Sequence, residues 1–142
     1  MKSQIGVLLR EFTCNPPAGV EDMRSCSLAL AFQLPEDYQE FLRYANGGCG
    51  RIGIAYVDLW RIEELGQRNA DYATAEFAPG LVLFGSDGGG EAFAFDTRMA
   101  PPVVVVVPFV GLDLASAELI APSFTGFLER VSTVGPFGGA GE

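Results

Sequence analysis

The sequence contains no histidine among its 142 residues. This absence excludes Ser-His-Asp and Cys-His catalysis, histidine ligands for a metal, and a pH switch based on imidazole. Cysteine is also scarce, because only Cys14, Cys26 and Cys49 are present. Their spacing matches neither a zinc motif nor a disulfide framework. We interpret them as ordinary thiols, which fits a protein of the reducing cytoplasm.

The sequence is also poor in positively charged residues. The chain has 9 Lys and Arg residues but 18 Asp and Glu residues, which gives a formal net charge of −9. Nucleic-acid binding needs clustered Lys and Arg to neutralise phosphates, so this composition argues against DNA or RNA as a partner. The charge favours a basic partner, or no partner.

Long apolar segments are also missing. The longest uncharged run, residues 99–112, contains three prolines and is much shorter than the ~20 residues that cross a bilayer. Arg10 and Glu11 interrupt the first apolar stretch too early for a secretory signal. We therefore expect no membrane segment and a cytoplasmic location.

The length and the hydrophobic content together indicate a folded chain. At ~150 residues per domain, residues 1–142 are expected to form a single domain. Hydrophobic residues make up 49% of the chain, which excludes intrinsic disorder as its general state. The glycine-rich end, residues 134–142, has no core pattern, and we expect it to be a flexible tail.

The clearest helix is predicted over residues 34–48. Pro35 suits its first position, where the missing N–H is not needed, and acidic residues follow in the first turn. Asn46 and Gly47 then provide a left-handed residue that ends the helix. One apolar stripe lies between these signals: Tyr38, Phe41, Leu42 and Ala45.

Hydrophobic spacing predicts the remaining elements. Helices are expected at residues 5–12, 20–31, 62–65 and 124–131, although residues 28–32 also alternate as a strand would. Strands are expected at residues 51–59, 81–84, 92–95 and 103–107, and a loop or frayed helix at 67–79. Short connections between strands imply hairpins, so the predicted fold class is α+β, with N-terminal helices and a central, mostly antiparallel sheet on which helices pack.

The segment DGGGE, residues 87–91, admits three interpretations. A phosphate-binding loop would need a following Lys and a following helix, and both are missing. A calcium site built from Asp87, Glu91 and Asp96 would lack the spacing of an EF-hand loop. A hairpin turn whose glycines adopt positive φ explains the segment best.

Two catalytic arrangements can also be examined. Cys49 follows the C-terminal end of a predicted helix, whose partial negative charge raises a thiol pKa, and no histidine is present to act as its base. Carboxylate pairs could perform acid–base chemistry, but among 18 acidic residues no pair is distinguished from the others. We therefore predict no catalytic residue, no metal site and no cofactor.

Several segments in this order resemble one family. Residues 34–48, LPEDYQEFLRYANGG, resemble the LPxDYxxFLxxxNGG signature of the SUKH superfamily, the Smi/Knr-like proteins. Residues 59–65, LWRIEEL, resemble its strand-to-helix segment, and residues 83–96, LFGSDGGGEAFAFD, are similar to its FGxDGGGExYxFD hairpin. Residues 123–128, SFTGFL, resemble its closing helix. One departure is Phe93, which stands where Tyr or Trp is often found.

The resemblance implies the same α+β fold, no enzymatic activity and no cofactor. Bacterial members are typically immunity proteins that neutralise toxin domains, often nucleases, of polymorphic toxin systems. Other members are regulators that act through protein contacts. A nuclease is basic around its substrate groove, so an acidic protein can be steered to it electrostatically.

Two functions from this resemblance remain open. The first is an immunity protein with a basic toxin domain as partner; the alternative is a regulatory or scaffolding domain with a non-toxin partner. A small hydrolase that uses paired carboxylates is a third hypothesis. For a partner-binding surface we predict the acidic residues beside loops: Glu63, Glu64, Asp71, Glu76, Asp87 and Glu91.

Overall fold

Seven strands form one antiparallel sheet in the computed structural model, which describes residues 6–133. They follow chain order from one edge of the sheet to the other: β1 (Phe12–Cys14), β2 (Gly48–Ile52), β3 (Ala55–Leu59), β4 (Leu81–Ser86), β5 (Glu91–Asp96), β6 (Val103–Pro108) and β7 (Glu118–Ala121). The predicted α+β class and the antiparallel sheet are confirmed. The predicted tail, 134–142, lies outside the described residues.

Five α-helices in this part of the chain have well-defined bounds. They are α1 (Val20–Leu30), α2 (Glu36–Tyr44), α3 (Leu65–Asp71), α4 (Thr74–Phe77) and α5 (Phe124–Thr133). Two short 3-10 helices, Ile62–Glu64 and Leu114–Ser116, precede α3 and β7. None of the helices within the described range is long and apolar enough to cross a membrane.

Helices α2 and α5 pack on one face of the sheet, which we call the helix face. This face carries Phe93 and Phe95 of β5, because alternate residues of a strand point to the same side. Their rings form a continuous cluster with aromatic residues of the two helices and of β4, with centroids 4.5–6.4 Å apart. The cluster consists of Tyr38, Phe41, Phe84, Phe93, Phe95, Phe124 and Phe127.

The opposite side of the sheet, which we call the open face, is only partly covered. In the middle of the sheet its residues are buried, as Ala94 and Val105 show, and the 3-10 helix Leu114–Ser116 packs against β6. At strands β1 to β3 the same side is in contact with solvent, because Cys49 and Tyr56 are exposed there. This uneven covering leaves one end of the sheet available to a partner.

The N-terminal helix is shorter than the sequence predicted. Within the predicted range, 5–12, residues 6–8 are helical, whereas Phe12 begins β1 and residue 5 lies outside the described residues. Phe12 pairs with Gly50 of β2. Pairing with β2 satisfies backbone groups at the sheet edge, which a further helical turn would leave without partners.

The single strand predicted over residues 51–59 is wrong, because this segment contains a turn. The chain reverses at Gly53 and Ile54, so β2 and β3 form a hairpin. Gly53 has a φ of 64°, and its missing side chain leaves room for the backbone of Ser132. Of the two interpretations of residues 67–79, loop or frayed helix, the structure favours the helical one, since α3 and α4 occupy most of the segment.

The helix predicted over residues 34–48 is present as α2, with one difference at its end. Pro35 precedes the first helical residue as its N-cap, and the helix ends at Tyr44 because Ala45 is extended, with a φ of −152°. The left-handed Gly47, with a φ of 72°, lies two residues further on. It therefore directs the chain into β2 and does not close the helix itself.

The start of α5 depends on side chains of two segments. Ser123 Oγ accepts a hydrogen bond from the Gly126 N–H at 3.0 Å, as an N-cap serine does. Asp37 of α2 accepts from the Thr125 N–H at 2.8 Å and from its hydroxyl at 2.9 Å. A carboxylate at a helix N-terminus is stabilised by the helix dipole. These contacts hold the two helices of the helix face together.

The Tyr38 hydroxyl is buried and has no hydrogen-bond partner among the described residues. Burial raises its pKa, so the group is a neutral, unpaired phenol. We expect Tyr38→Phe to leave the free energy of unfolding unchanged or to raise it by about 1 kcal/mol, since an unpaired buried hydroxyl is removed. Urea unfolding measures the difference. A loss of about 1 kcal/mol or more would show that the hydroxyl has a partner.

Asp96 at the end of β5 is held by Arg98. The guanidinium donates to both carboxylate oxygens, at 2.9 and 2.8 Å, and the Arg98 N–H donates at 3.0 Å. These hydrogen bonds hold the pKa of Asp96 below its usual 3.8, although burial acts in the opposite direction. A lowered pKa stabilises the folded state above pH 3.8, and this stabilisation is lost as pH falls through the folded value.

We therefore expect Asp96→Asn to lower the free energy of unfolding by about 1–2 kcal/mol at pH 7. The deficit should shrink as the pH falls below about 4, because the wild-type carboxyl then also becomes neutral. Urea unfolding of both proteins at pH 7 and pH 3 measures this. A deficit that is the same at both values would contradict the role of the charge.

Candidate partner-binding surface

The segment 87–91 is a hairpin turn that is stabilised by its own side chains. Asp87 Oδ1 accepts from the Gly89 N–H at 2.8 Å and from the Glu91 N–H at 3.2 Å. Gly88 has a φ of 84°, a conformation that favours glycine. The predicted hairpin turn is confirmed, since β4 and β5 pair on either side of it, but of its three glycines only Gly88 has a positive φ.

The other interpretations of this segment find no support in its geometry. Strand β5 follows the glycines, where a phosphate-binding loop would have a helix. Asp96 lies at the far end of β5 from Asp87 and is bound to Arg98. Within residues 6–133, no three or more Cys, Asp or Glu side chains are grouped so that they could hold a metal ion.

The turn lies against Tyr56 on the open face. A Cβ atom added to Gly88 would be 2.7 Å from Cε1 of the Tyr56 ring, so only glycine allows this approach. The neighbouring Cys49 side chain is the main cause that raises the Tyr56 pKa. Tyr56 is still 49% exposed. The turn therefore forms a wall beside an accessible aromatic ring.

Asp58 lies between the hairpin turn and helix α3. It pairs with Ser86 across β3 and β4, directly before the turn, and is half-buried. Burial raises the pKa of Asp58, the charge of Arg68 opposes that rise, and the charge of Glu64 adds to it. Asp58, Glu64 and Arg68 therefore lie close enough to influence one another.

A buried tryptophan supports the adjoining part of the surface. Trp60 stacks with Tyr72 and Phe109, at centroid distances of 6.4 and 6.3 Å. The guanidinium of Arg68 lies 4.7 Å from the Trp60 ring centroid, a cation–π contact, and its Nε is 3.5 Å from a Glu64 oxygen. Stacking and ion pairing thus hold Arg68 in place.

The loop after β6 joins the tryptophan to the hairpin turn. The Phe109 N–H donates to the Gly90 carbonyl at 3.0 Å, and the next residue, Val110, is 91% exposed. Burial raises the pKa of Glu91, and the charges of Asp87 and Glu118 raise it further. Glu118 therefore lies near Glu91, and the strand register directs both side chains to the helix face, the side of Phe93.

These contacts define a continuous area, which we call the hairpin surface. It combines exposed apolar or aromatic side chains with carboxylates. Its members are Tyr56, Asp58, Glu64, Arg68, Tyr72, Asp87 and Val110.

The structure divides the six acidic residues predicted from the sequence into two groups. Glu64 and Asp87 lie on the hairpin surface, whereas Glu91 points to the helix face, as Phe93 does two residues later on β5. Of the others, Glu63 accepts from the Asn46 side chain at 2.7 Å, and Asp71 accepts from Gln67 at 2.7 Å. The sixth residue, Glu76, lies on α4, apart from the other five. That any of the six binds a partner stays a prediction.

Sequence reasoning missed five members of the hairpin surface, which are Tyr56, Asp58, Arg68, Tyr72 and Val110. The alternation in 51–59 indicated that some of these side chains would be exposed, but it did not indicate their neighbours. Val110 belongs to a segment for which the sequence predicted no element.

The asparagine of the segment 34–48 has a structural role. Asn46 is buried; its Oδ1 accepts from the Ile62 N–H at 2.8 Å, and its backbone carbonyl accepts from Asn15 at 3.0 Å. It thereby ties the end of α2 to the segment that begins α3 and carries Glu64. The motif residue therefore positions the hairpin surface without being part of it.

Comparison with known proteins gives one family. The profile of the SMI1 / KNR4 family (SUKH-1) matches residues 17–130, a range that contains every element from α1 to β7 and most of α5. The search of curated proteins found no match.

Proposed function

The chain belongs to the SMI1 / KNR4 family (SUKH-1), and from this membership we propose that it is an immunity protein. It binds a toxin domain of a bacterial polymorphic toxin system and neutralises it by occupying the toxin's surface. It carries out no reaction itself. The family match over residues 17–130 is the observation that supports this proposal, since the family includes toxin immunity proteins.

Charge identifies the class of toxin that fits. The chain has a formal net charge of −9, and three carboxylates lie on the hairpin surface: Asp58, Glu64 and Asp87. A toxin that acts on nucleic acid carries Lys and Arg around its substrate groove. We therefore propose a basic toxin domain, with a nuclease as the leading candidate. Opposite charges accelerate such an association by ~10–10³ at low salt.

The proposed mechanism needs no chemistry from this chain. No histidine is present to serve as a base, and the exposed thiols, Cys14 and Cys49, are free. Burial raises the pKa of the Cys14 thiol, which makes it a poorer nucleophile. Free exposed thiols support a location in the reducing cytoplasm, where an immunity protein meets an incoming toxin.

Co-expression tests the proposal. The toxin domain encoded beside this gene is induced in a bacterial host, with this chain or with an unrelated acidic protein of equal net charge. We expect growth only in the cells that contain this chain, because neutralisation needs a specific complex. Growth arrest in both strains, together with a stable complex of this chain with a host protein, would favour a regulatory or scaffolding function.

A further inference from the structure

A cleft of about 430 Å³, which we call the Thr74 cleft, lies between α1, α3, α4 and the start of β4. Its volume is within the range of sites for small molecules. It is separate from the hairpin surface, because Arg68 lies two residues from both Gly66 and Ala70, and residues two apart point to nearly opposite sides of a helix. Five of the residues that line the cleft have no side chain or only a methyl group: Ala29, Gly66, Ala70, Ala75 and Gly80.

One polar side chain of this cleft is buried without a partner. Thr74 is 2% exposed, and its hydroxyl makes no hydrogen bond within the described part of the chain. The other polar side chains of the lining are engaged. Asn69 bonds to backbone atoms of α3 and β4, and the Thr97 hydroxyl donates to the Gly80 carbonyl at 2.6 Å. A buried hydroxyl without a partner destabilises the fold, and a ligand that hydrogen-bonds to it would remove this cost.

The glycine in the wall of the cleft is not required by any neighbour. Gly66 lies inside α3, where alanine would form the helix better, and it has no left-handed φ. A Cβ atom at Gly66 would meet nothing within 4 Å, because it would extend into the open cleft. At Gly53, by contrast, a Cβ atom would collide with the backbone of Ser132. The missing side chain of Gly66 therefore keeps the cleft open and serves no packing contact.

The lining of the cleft is uncharged. Among the described residues no Asp, Glu, Lys or Arg lines it, although the chain has 18 acidic and 9 basic residues. Arg98 lies beside Gly80, but it is not part of the lining and donates to both carboxylate oxygens of Asp96. An ion would lose hydration in the cleft without gaining a counter-charge. The cleft therefore favours a neutral molecule, whose apolar part would contact the aliphatic side chains of Leu81 and Val82.

We propose that the Thr74 cleft binds a small neutral molecule with a compact apolar body and one hydrogen-bonding group, as alcohols and amides have. The polar group pairs with the Thr74 hydroxyl, and the apolar body fills the space that Gly66 leaves open. The proposal goes beyond the proposed function, because the cleft lies on the other side of α3 from Arg68 and its ligand is not the toxin domain.

Cyclohexanol is the probe that tests this proposal, since it combines an apolar ring with one neutral hydroxyl. Cyclohexanecarboxylate and cyclohexylammonium carry a charge on the same ring and are its controls. In the isotope-labelled full chain, cyclohexanol should shift the amide signals around Gly66 and Thr74, with a Kd in the millimolar range that a molecule of this size reaches. Both charged controls should bind at least about tenfold more weakly. Equal binding of all three compounds, or shifts away from the cleft, would overturn the proposal.

Two variants separate binding from stability. Gly66→Leu fills the cleft and Thr74→Val removes the hydroxyl at nearly equal volume, while the controls Gln67→Leu and Thr13→Val introduce the same residues at exposed positions. We expect Gly66→Leu to raise the Kd of cyclohexanol by about tenfold or more and Thr74→Val by about three- to tenfold, with both controls unchanged. Neither cleft variant should lower the midpoint of urea unfolding, since leucine forms a helix better than glycine and the Thr74 hydroxyl has no partner to lose.

The remaining outcomes decide against the proposal. Cyclohexanol that binds Gly66→Leu as tightly as wild type lies elsewhere on the chain; Gly66→Ala, a smaller addition, repeats this comparison if the leucine variant does not fold. Unchanged affinity of Thr74→Val would mean that the hydroxyl does not recognise the probe. A lower unfolding midpoint of Thr74→Val would mean that the hydroxyl already has a partner in the free chain. None of these results bears on the immunity function, which the co-expression experiment decides separately.

Discussion

Gly47→Ala is expected to lower the free energy of unfolding by roughly 3 kcal/mol or more. Gly47 has a φ of 72°, a left-handed conformation that an L side chain rarely adopts. A Cβ atom there would also collide with backbone: with the carbonyl oxygen of Leu59, and with that of Trp60 at 2.7 Å. Backbone on a paired strand cannot move aside as the tip of a side chain can, so strain and collision add.

Gly66→Ala is the matched control for this substitution. Gly66 lies in α3, and a Cβ atom there would meet nothing within 4 Å. Alanine is the better helix former, so we expect this variant to gain up to about 1 kcal/mol. Urea unfolding compares both variants with wild type. Equal effects of the two substitutions would show that Gly47 is not required by its conformation.

Phe84→Ala has the second large expected effect, a loss of about 3–5 kcal/mol in the free energy of unfolding. Phe84 is only 1% exposed, and its ring contacts aromatic rings of β5, α2 and α5. Those partners are Tyr38, Phe93, Phe95, Phe124 and Phe127. Truncation leaves a cavity between the sheet and both helices, and rings fixed on three elements cannot close it by moving together.

Phe77→Ala makes the same chemical change where it should matter little. Phe77 ends α4 and is 54% exposed, so we expect its loss to change the free energy of unfolding by no more than about 0.5 kcal/mol. Thermal and urea unfolding of both variants give the comparison. A Phe84→Ala variant as stable as Phe77→Ala would mean that the helix-face core repacks around the missing ring.

Local sequence signals were sufficient to predict the elements whose start, end and apolar pattern are all encoded in their own residues. Helix α2 has a proline before its first turn and one apolar stripe, and the hairpin β4–β5 has three glycines between two apolar runs. Residues 103–107 are five valines in a row, and they form the interior strand β6. In each case the physical cause acts within about ten residues.

The short elements were not predicted from the sequence, because the contacts that stabilise them come from distant parts of the chain. Strand β1 has three residues and exists because β2 offers its edge, and β7 depends in the same way on β6. The turn at Gly53 is fixed by the close backbone of Ser132 in α5. A local sequence pattern contains no information about a neighbour that is so distant in sequence.

The sequence by itself determined the α+β class, the family resemblance, the acidic character and the absence of any histidine-based chemistry. Composition and short-range patterns are sufficient for these properties, since they do not depend on which segments meet. The tertiary structure decided which carboxylates stand together and which exposed rings they surround. Asp58, Tyr72 and Val110 meet because the sheet order and the stack on Trp60 bring three separate segments to one end of the sheet.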